Sequence, residues 1–191
     1  MKEQTKAAHR RLNDNLFHTR YFIGKGIDVG GKPDPLGQYV FVFAGMESCD
    51  TWDLEQGDGQ YLTGIPDCSY DFLHSSHCLE HLKNPEIALE NWIRVVKPNG
   101  FLIITVPDED MYEFPKFKRF NKKHRWSFTI YKKQSWCAKS INILDLVVRF
   151  SDLIEPERIS LIRDFYNPKK KTDQTRGNAE CAIEFIWRRK K

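Results

Sequence analysis

The stretch that decides the fold is Gly26-Ile-Asp-Val-Gly-Gly31, a short apolar strand that carries one acid and runs directly into glycines. Further on, residues 70–74 predict another strand, and residues 101–106 are apolar on both faces, as a central parallel strand must be. Between these two, Asn84-Pro85 has the form of a helix start. Open α/β sheets bind nucleotide-like ligands at the carboxyl edge of their strands, so the ligand held there decides the function.

The length and composition fit one domain, with room for a small appendage, that does not cross a membrane. The chain has 191 residues, 40% of them hydrophobic, and a net charge of +4. No apolar run approaches the roughly 18 residues of a membrane span, and residues 1–11 lack the apolar middle of a signal peptide. We therefore expect a cytoplasmic protein. The excess of positive charge is too small to indicate nucleic-acid binding by itself.

Periodicity and turn residues divide the remainder of the chain. Apolar residues at helical spacing predict a helix over 3–18 that covers an edge or the mouth of the sheet. We expect one domain over 1–191, made of the N-terminal helix 1–20, a cofactor-binding half 21–107, a lid insertion 108–140 and closing strands in 141–191. Its further predicted elements are a buried strand 39–43, an irregular segment 44–68, a helix capped by Asn142 that runs to 150, and closing strands 159–165 and 182–187.

Two short segments carry the candidate ligand-binding residues. In Asp28-Val-Gly-Gly31, the absence of a Cβ lets a ligand approach the backbone, while the acid can orient the loop or accept a hydrogen bond from an ammonium group. The spaced glycines of a dinucleotide fingerprint are absent after the strand, which argues against a nicotinamide dehydrogenase. A carboxylate or amide in the segment 52–60 could bind ribose hydroxyls or an adenine amino group.

The segment His77-Cys-Leu-Glu-His81 matches the H-x-x-E-H pattern of one class of zinc peptidases. On a helix, the two histidines would share a face with Glu80 beside them. The segment instead follows a sheet strand at the ligand edge, and a zinc site would need a further downstream ligand, of which the sequence gives no clear sign. We therefore expect no metal, and a zinc hydrolase that uses His77, Glu80 and His81 is the less favoured alternative.

Taken in order, the motifs resemble class I S-adenosylmethionine-dependent methyltransferases over roughly residues 20–112. The stretches that carry this resemblance are Asp28–Gly31, Gly57-Asp-Gly-Gln60, Tyr70-Asp-Phe72 leading to His77–His81, Asn84-Pro85 leading to Arg94-Val-Val-Lys-Pro-Asn-Gly100, and Val106-Pro-Asp108. The resemblance implies a Rossmann-like α/β fold with a mostly parallel sheet, an antiparallel closing strand and a lid insertion. It also implies S-adenosylmethionine as the cofactor, and a small-molecule or glycan-modifying branch of the family.

The resemblance assigns the cofactor contacts residue by residue. They are Asp28, Gly30 and Gly31 at the methionine half, Asp58, Gly59 and Gln60 along the adenine, and Ser76 beside the sulfonium. Two departures stand out. Lys32 occupies the place of a second spaced glycine, and the predicted second strand ends at Phe43-Ala-Gly45 without the family's ribose-binding acid. Either Glu47 or Asp53 would have to substitute for that acid.

The function implied is methyl transfer to oxygen or nitrogen of a small-molecule or carbohydrate-like acceptor. A hydroxyl acceptor needs a base, for which His77 is the first candidate and His124 the second. The aromatic and basic residues of the insertion suit a sugar nucleotide or glycan, and we favour these over RNA. A degenerate methyltransferase fold that binds a ligand or partner without chemistry is the non-enzymatic alternative, and the oligomeric state is left open.

Overall fold

The computed structural model describes residues 2–191, which are built around one six-stranded sheet. Its strands are β1 (Gly24–Val29), β2 (Met46–Trp52), β3 (Tyr70–Ser76), β4 (Val96–Pro107), β7 (Ile154–Ile162) and β8 (Ala182–Arg189). They lie in the order β2-β1-β3-β4-β8-β7; the first four are parallel, and β8 runs antiparallel to both neighbours. The predicted fold class, a mostly parallel sheet with an antiparallel closing strand, is confirmed.

The other elements lie around this sheet. They are the helices α1 (Glu3–Arg11), α2 (Pro85–Val95) and α3 (Ile143–Arg149), short helical turns at Phe17–Tyr21, Leu36–Tyr39, Leu79–His81 and Glu109–Glu113, and a small parallel pair formed by β5 (Ser127–Thr129) and β6 (Ser140–Asn142). Within residues 2–191, none of the helices combines the length and apolar character that crossing a bilayer requires.

Both faces of the sheet are buried, which explains why its central strands are so apolar. On β4, Leu102 and Ile104 join the cluster that contains α2 and α3, whereas Ile103 between them joins the cluster formed with the segment after α1. Helix α2 begins as predicted, since the Asn84 side chain accepts hydrogen bonds from the Glu86 and Ile87 amides.

The prediction of a buried strand at 39–43 is wrong. This segment forms a 3₁₀ turn at Leu36–Tyr39 followed by further turns, so its apolar residues lack a common face. Phe43 is fully buried beneath the sheet, whereas Phe41 is 86% exposed. The second strand is instead Met46–Trp52, inside the stretch expected to be irregular; it is an edge strand, which explains its polar sequence.

Three other element boundaries also differ from the predictions. The N-terminal helix ends at Arg11 rather than 18, and Leu12 and Leu16 lie on the surface. Asn142 precedes α3 without a capping hydrogen bond, because its side chain pairs with both backbone groups of Lys132. The penultimate strand is Ile154–Ile162 instead of 159–165, because the pairing with β8 begins at Ile154 and ends at Ile162.

A buried ionic cluster joins α1 to the closing strands. Glu184 of β8 is fully buried; Arg11 Nη2 lies 2.6 Å from its carboxylate, and Arg10 and Arg158 donate to it at 3.2 Å. Burial alone would raise the pKa of the Glu184 carboxyl, but Arg11 and Arg10 outweigh burial and hold that pKa well below its usual range. The cluster fixes α1 over the ligand edge of the sheet.

We predict that Glu184→Gln destabilises the protein by about 3–5 kcal/mol, because it leaves the buried Arg11 guanidinium without its counter-charge. Chemical denaturation at pH 7 measures this loss. Since the folded-state pKa of Glu184 is depressed, the advantage of the native residue should be complete above about pH 4.3 and should shrink as the pH falls further. Glu157→Gln, which weakens the exposed pair with Arg20, is the control and should cost at most about 1 kcal/mol. Equal losses of unfolding free energy in the two variants would contradict the stabilising role of the buried pair of Glu184 and Arg11.

Candidate functional site

The candidate site lies where the carboxyl ends of β1, β2 and β3 meet. A cavity of about 340 Å³ opens there, with the start of α1 on one side and the loop after β1 on the other. Its lining includes five of the predicted residues, namely Asp28, Gly30, Gly31, Ser76 and His77. The other predicted residues lie outside this lining and are described below.

Asp28 holds the loop after β1 through a chain of buried hydrogen bonds. One of its oxygens accepts the Leu36 amide at 2.7 Å, and the other lies 2.6 Å from His74 Nδ1. Arg11 Nη1 lies 3.1 Å from the opposite ring nitrogen of His74. Because arginine only donates, His74 must accept at Nε2 and donate from Nδ1 to Asp28. Burial lowers the pKa of His74 below its ordinary value, which agrees with this neutral form.

The two glycines after β1 are required by close packing. Gly30 has a φ of +77°, and a Cβ there would lie 2.7 Å from Cys78 Sγ. A Cβ on Gly31 would lie 2.4 Å from an oxygen of Asp28. Both positions therefore exclude a side chain, and the backbone stays open toward the cavity.

Asp53 follows directly after β2, the position that the resemblance reserves for an acid at the end of the second strand. Its two oxygens accept the amides of Lys32 and Leu54 at 3.0 and 2.8 Å. Glu47 instead lies near the amino end of β2, far along the strand from the site. The missing acid was thus a consequence of the wrong strand assignment at 39–43, and Asp53 is the better placed of the two candidates.

The segment Asp58–Gln60 braces α2 as well as bordering the ligand edge. Gln60 is buried and its side-chain oxygen accepts the Asn84 amide at 2.7 Å, while the Gly59 carbonyl accepts Trp92 Nε1. Asp58 is exposed, and one of its oxygens accepts the Gln60 amide. Its second oxygen accepts no hydrogen bond from the residues described, so of the two side chains in this segment that of Asp58 is the one available to a ligand.

His77 turns the chain out of β3 with a φ of +54°, which is uncommon for a residue with a side chain. Its side chain is 23% exposed, with Nδ1 3.5 Å from Glu80 and Nε2 3.8 Å from Glu3. Burial lowers the pKa of His77, but the Glu80 carboxylate outweighs it, so the pKa stands above the ordinary value. His77 therefore combines access to the cavity with an acidic partner behind it.

His124 does not share the cavity with His77. Only 3% exposed, it lies 2.6 Å from Glu113 through Nδ1 and 3.9 Å from Glu80 through Nε2. Because Nδ1 contacts Glu113 and Nε2 faces the buried Glu80, neither nitrogen is directed into the cavity where an acceptor would lie, and the geometry favours a different role. The H-x-x-E-H segment is not an α-helix either: only Leu79–His81 form a 3₁₀ turn, so His77 and His81 do not share a helix face.

Gln4 of α1 is a site residue that the sequence analysis missed. Its side chain lines the cavity and is 4% exposed, yet neither its amide nitrogen nor its oxygen has a hydrogen-bond partner among residues 2–191. An unpaired buried amide is costly unless a ligand pairs with it. The predicted helix over the mouth of the sheet was the one available sign, and the helical pattern alone did not single out Gln4.

A family model described as a methyltransferase domain matches residues 10–140. No curated protein matches the chain in sequence.

Solved structures share the fold at low identity. A SAM-dependent methyltransferase from Archaeoglobus fulgidus is 14% identical with a TM-score of 0.60, over 98% of this chain and 94% of its own. A Listeria monocytogenes protein assigned as an S-adenosylmethionine-dependent methyltransferase is 9% identical with a TM-score of 0.59, over 98% of this chain and 99% of its own. A Haloferax volcanii protein assigned as a methyltransferase, in complex with the Trm112 activator, is 11% identical with a TM-score of 0.58, over 98% of this chain and 93% of its own.

We predict that Asp28→Asn destabilises the protein by about 1–3 kcal/mol. The Leu36 amide and His74 Nδ1 both donate to Asp28, so one of them must face the new amide's own donor whichever way it is turned. Denaturant unfolding measures the loss. Asp152→Asn, at an exposed position, is the matched control and should stay within about 0.5 kcal/mol. An Asp28 variant as stable as the control would show that the chain of bonds from Arg11 is not needed.

Proposed function

This chain belongs to the methyltransferase domain family and has the fold of S-adenosylmethionine-dependent methyltransferases, and we propose that it methylates a small-molecule or carbohydrate-like acceptor. The predicted enzyme class is thereby confirmed. The observation that carries the proposal is the cavity where the glycine loop and Asp28 meet Ser76 and His77. It lies at the sheet edge where ligands of open α/β folds bind.

The residues at this edge fit S-adenosylmethionine. Gly30 and Gly31 bring backbone to the cavity at positions where a Cβ would clash with Cys78 and Asp28. The unpaired amide of Gln4 offers both a donor and an acceptor to an amino acid group. Asp53 would bind the ribose hydroxyls, because each of its oxygens keeps a lone pair beyond its backbone bond. Asp58 would accept from the adenine amino group.

S-adenosylmethionine supplies a methyl group on a sulfonium, which is already a good leaving group. The protein is then needed mainly to align the acceptor, which can contribute about 7–11 kcal/mol. Ser76 and His77 border the space for the acceptor, and a hydroxyl acceptor would give its proton to His77. An amine acceptor that arrives neutral would need no such base.

The acceptor class is proposed from the insertion 108–140. Several aromatic rings of this insertion are on the surface: Phe114, Tyr131 and Trp136. Phe114 and Trp136 pack edge to face at 5.6 Å, and the exposed Lys116 and Lys133 lie in the same insertion. Exposed rings suit the apolar faces of sugars, and the cations suit phosphate groups. These features support a sugar or sugar-nucleotide acceptor for oxygen or nitrogen methylation.

We predict that S-adenosylmethionine binds the purified protein, and that Asp53→Ala weakens binding by about 10- to 100-fold through loss of charge-assisted hydrogen bonds. Isothermal titration calorimetry measures both dissociation constants. Glu47→Ala is the control: an acid on the same strand at its other end, expected to bind with unchanged affinity. Failure of the native protein to bind at millimolar concentration would reject the proposed function. A loss of affinity in Glu47→Ala but not in Asp53→Ala would reject Asp53 as the ribose-binding acid.

We predict that His77→Asn lowers turnover of a hydroxyl acceptor by about 10²–10⁴-fold while the affinity for S-adenosylmethionine is retained. Asparagine tolerates the positive φ at this position but cannot serve as the base. Release of S-adenosylhomocysteine, with sugar nucleotides and small glycans as candidate acceptors, measures turnover, and His9→Asn on the exposed face of α1 is the control. Unchanged turnover in the His77 variant would remove it as the base.

A further inference from the structure

Three potential metal ligands from two distant segments meet beside the cavity. Glu80 and His81 lie in the 3₁₀ turn after β3, and His124 comes from the insertion. One oxygen of Glu80 is 3.9 Å from Nε2 of His81 and 3.9 Å from Nε2 of His124. The three ligand atoms all lie within 4.8 Å of one another.

Glu80 is buried without a hydrogen-bond partner, although His77 Nδ1 lies 3.5 Å from one of its oxygens. Its side chain is 0% exposed, and neither oxygen accepts a hydrogen bond from any residue in the described range 2–191. The 3.9 Å separations are too long for hydrogen bonds. A buried carboxylate left in this way is strongly unfavourable unless a cation lies against it. The gap between Glu80 and the two imidazoles is the place where such a cation would sit.

Outer contacts hold both imidazoles in the form that binds metals. His124 Nδ1 lies 2.6 Å from Glu113, which is itself fully buried, and His81 Nδ1 lies 3.3 Å from the backbone oxygen of Lys123. Each contact places the ring proton on Nδ1, so the lone pair of Nε2 faces Glu80. This carboxylate–histidine arrangement is typical of the second layer of contacts around metal sites.

We propose that Glu80, His81 and His124 bind one Zn²⁺ ion, with a fourth position open to water. Imidazole nitrogens select zinc over magnesium and calcium, and two histidines with one glutamate are an established zinc ligand set. Bonds of about 2.0–2.1 Å place tetrahedral ligands roughly 3.3 Å apart. Each imidazole nitrogen, 3.9 Å from Glu80, therefore needs to move about 0.6 Å closer to that carboxylate, and the two imidazole nitrogens, within 4.8 Å of each other, need to approach by at most about 1.5 Å. His81 is partly exposed and gives the ion a route from solvent.

The ion would join the insertion to the sheet edge. The Glu80 carbonyl already accepts the backbone amides of Arg125 and Trp126. A metal bridge from Glu80 to His124 would close the same contact through side chains, immediately behind His77. The sequence pattern H-x-x-E-H thus supplies two of the three ligands, Glu80 and His81, and the insertion supplies the third.

The test is metal binding by the full chain, without affinity histidines and after chelation. Titration with Zn²⁺ should give one equivalent bound and a raised Tm, Co²⁺ should give visible absorption bands of a low-symmetry site, and Mg²⁺ should do neither. Glu113→Gln should weaken Zn²⁺ binding by about 10- to 100-fold, and His81→Ala by more, because it removes a ligand itself. His9→Ala, at an exposed position, should bind zinc normally.

His81→Ala is the decisive variant because its side chain is partly exposed and the metal-free fold should survive its loss, as circular dichroism would verify. A native protein that binds less than one equivalent of zinc at micromolar concentration overturns the proposal. So does a folded His81→Ala protein that binds zinc as tightly as the native chain. Cofactor titration is measured separately, so a failure of the metal site and a failure of the proposed methyl transfer would be told apart.

Discussion

The shared carboxylate of Asp28 is the constraint on which the ligand edge depends. It ties β1 to the loop after it through the Leu36 amide and to β3 through His74. Arg11 extends the same chain of bonds to α1 and, through Glu184, to β8. Buried, directional hydrogen bonds thus hold together four elements that are distant in sequence, namely β1, β3, α1 and β8. Because these bonds form one network, breaking one of them weakens the others. Because every donor in this chain faces an acceptor, the charges can stay buried under the start of α1.

Much of the fold could be predicted because the central strands and α2 carry strong local signals. The apolar run 101–106 and the capped start at Asn84 fix their elements through burial on both faces and through backbone capping. The edge strand β2 could not be predicted from its sequence in the same way. An edge strand needs only one neighbour and little burial, so its polar sequence resembled a loop, while the apolar 39–43 resembled a strand although it packs beneath the sheet as turns.

The candidate site shows the same division between local and long-range information. Asp28, Gly30, Gly31, Ser76 and His77 lie at or just after strand ends, and parallel strands bring their carboxyl ends to one edge. The family resemblance and this rule together were enough to group them. Gln4 and His124 reach their positions through tertiary packing of α1 and the insertion, which no short motif encodes. Asp53 is an intermediate case: its position at the end of the second strand followed as soon as β2 was correctly placed.

The two roles that we propose for the segment 77–81 are compatible because this segment leaves β3 in a tight turn instead of an α-helix. In a helix, His77 and His81 would project from one face toward one ion. The positive φ at His77 and the 3₁₀ turn that follows separate them, so that His77 borders the cavity while Glu80 and His81 face the insertion. A single acidic residue, Glu80, stands between the proposed acceptor base and the proposed ion. Only the Glu80 side chain therefore separates His77, the proposed base, from the point where the insertion, which would bind the acceptor, attaches to the sheet edge.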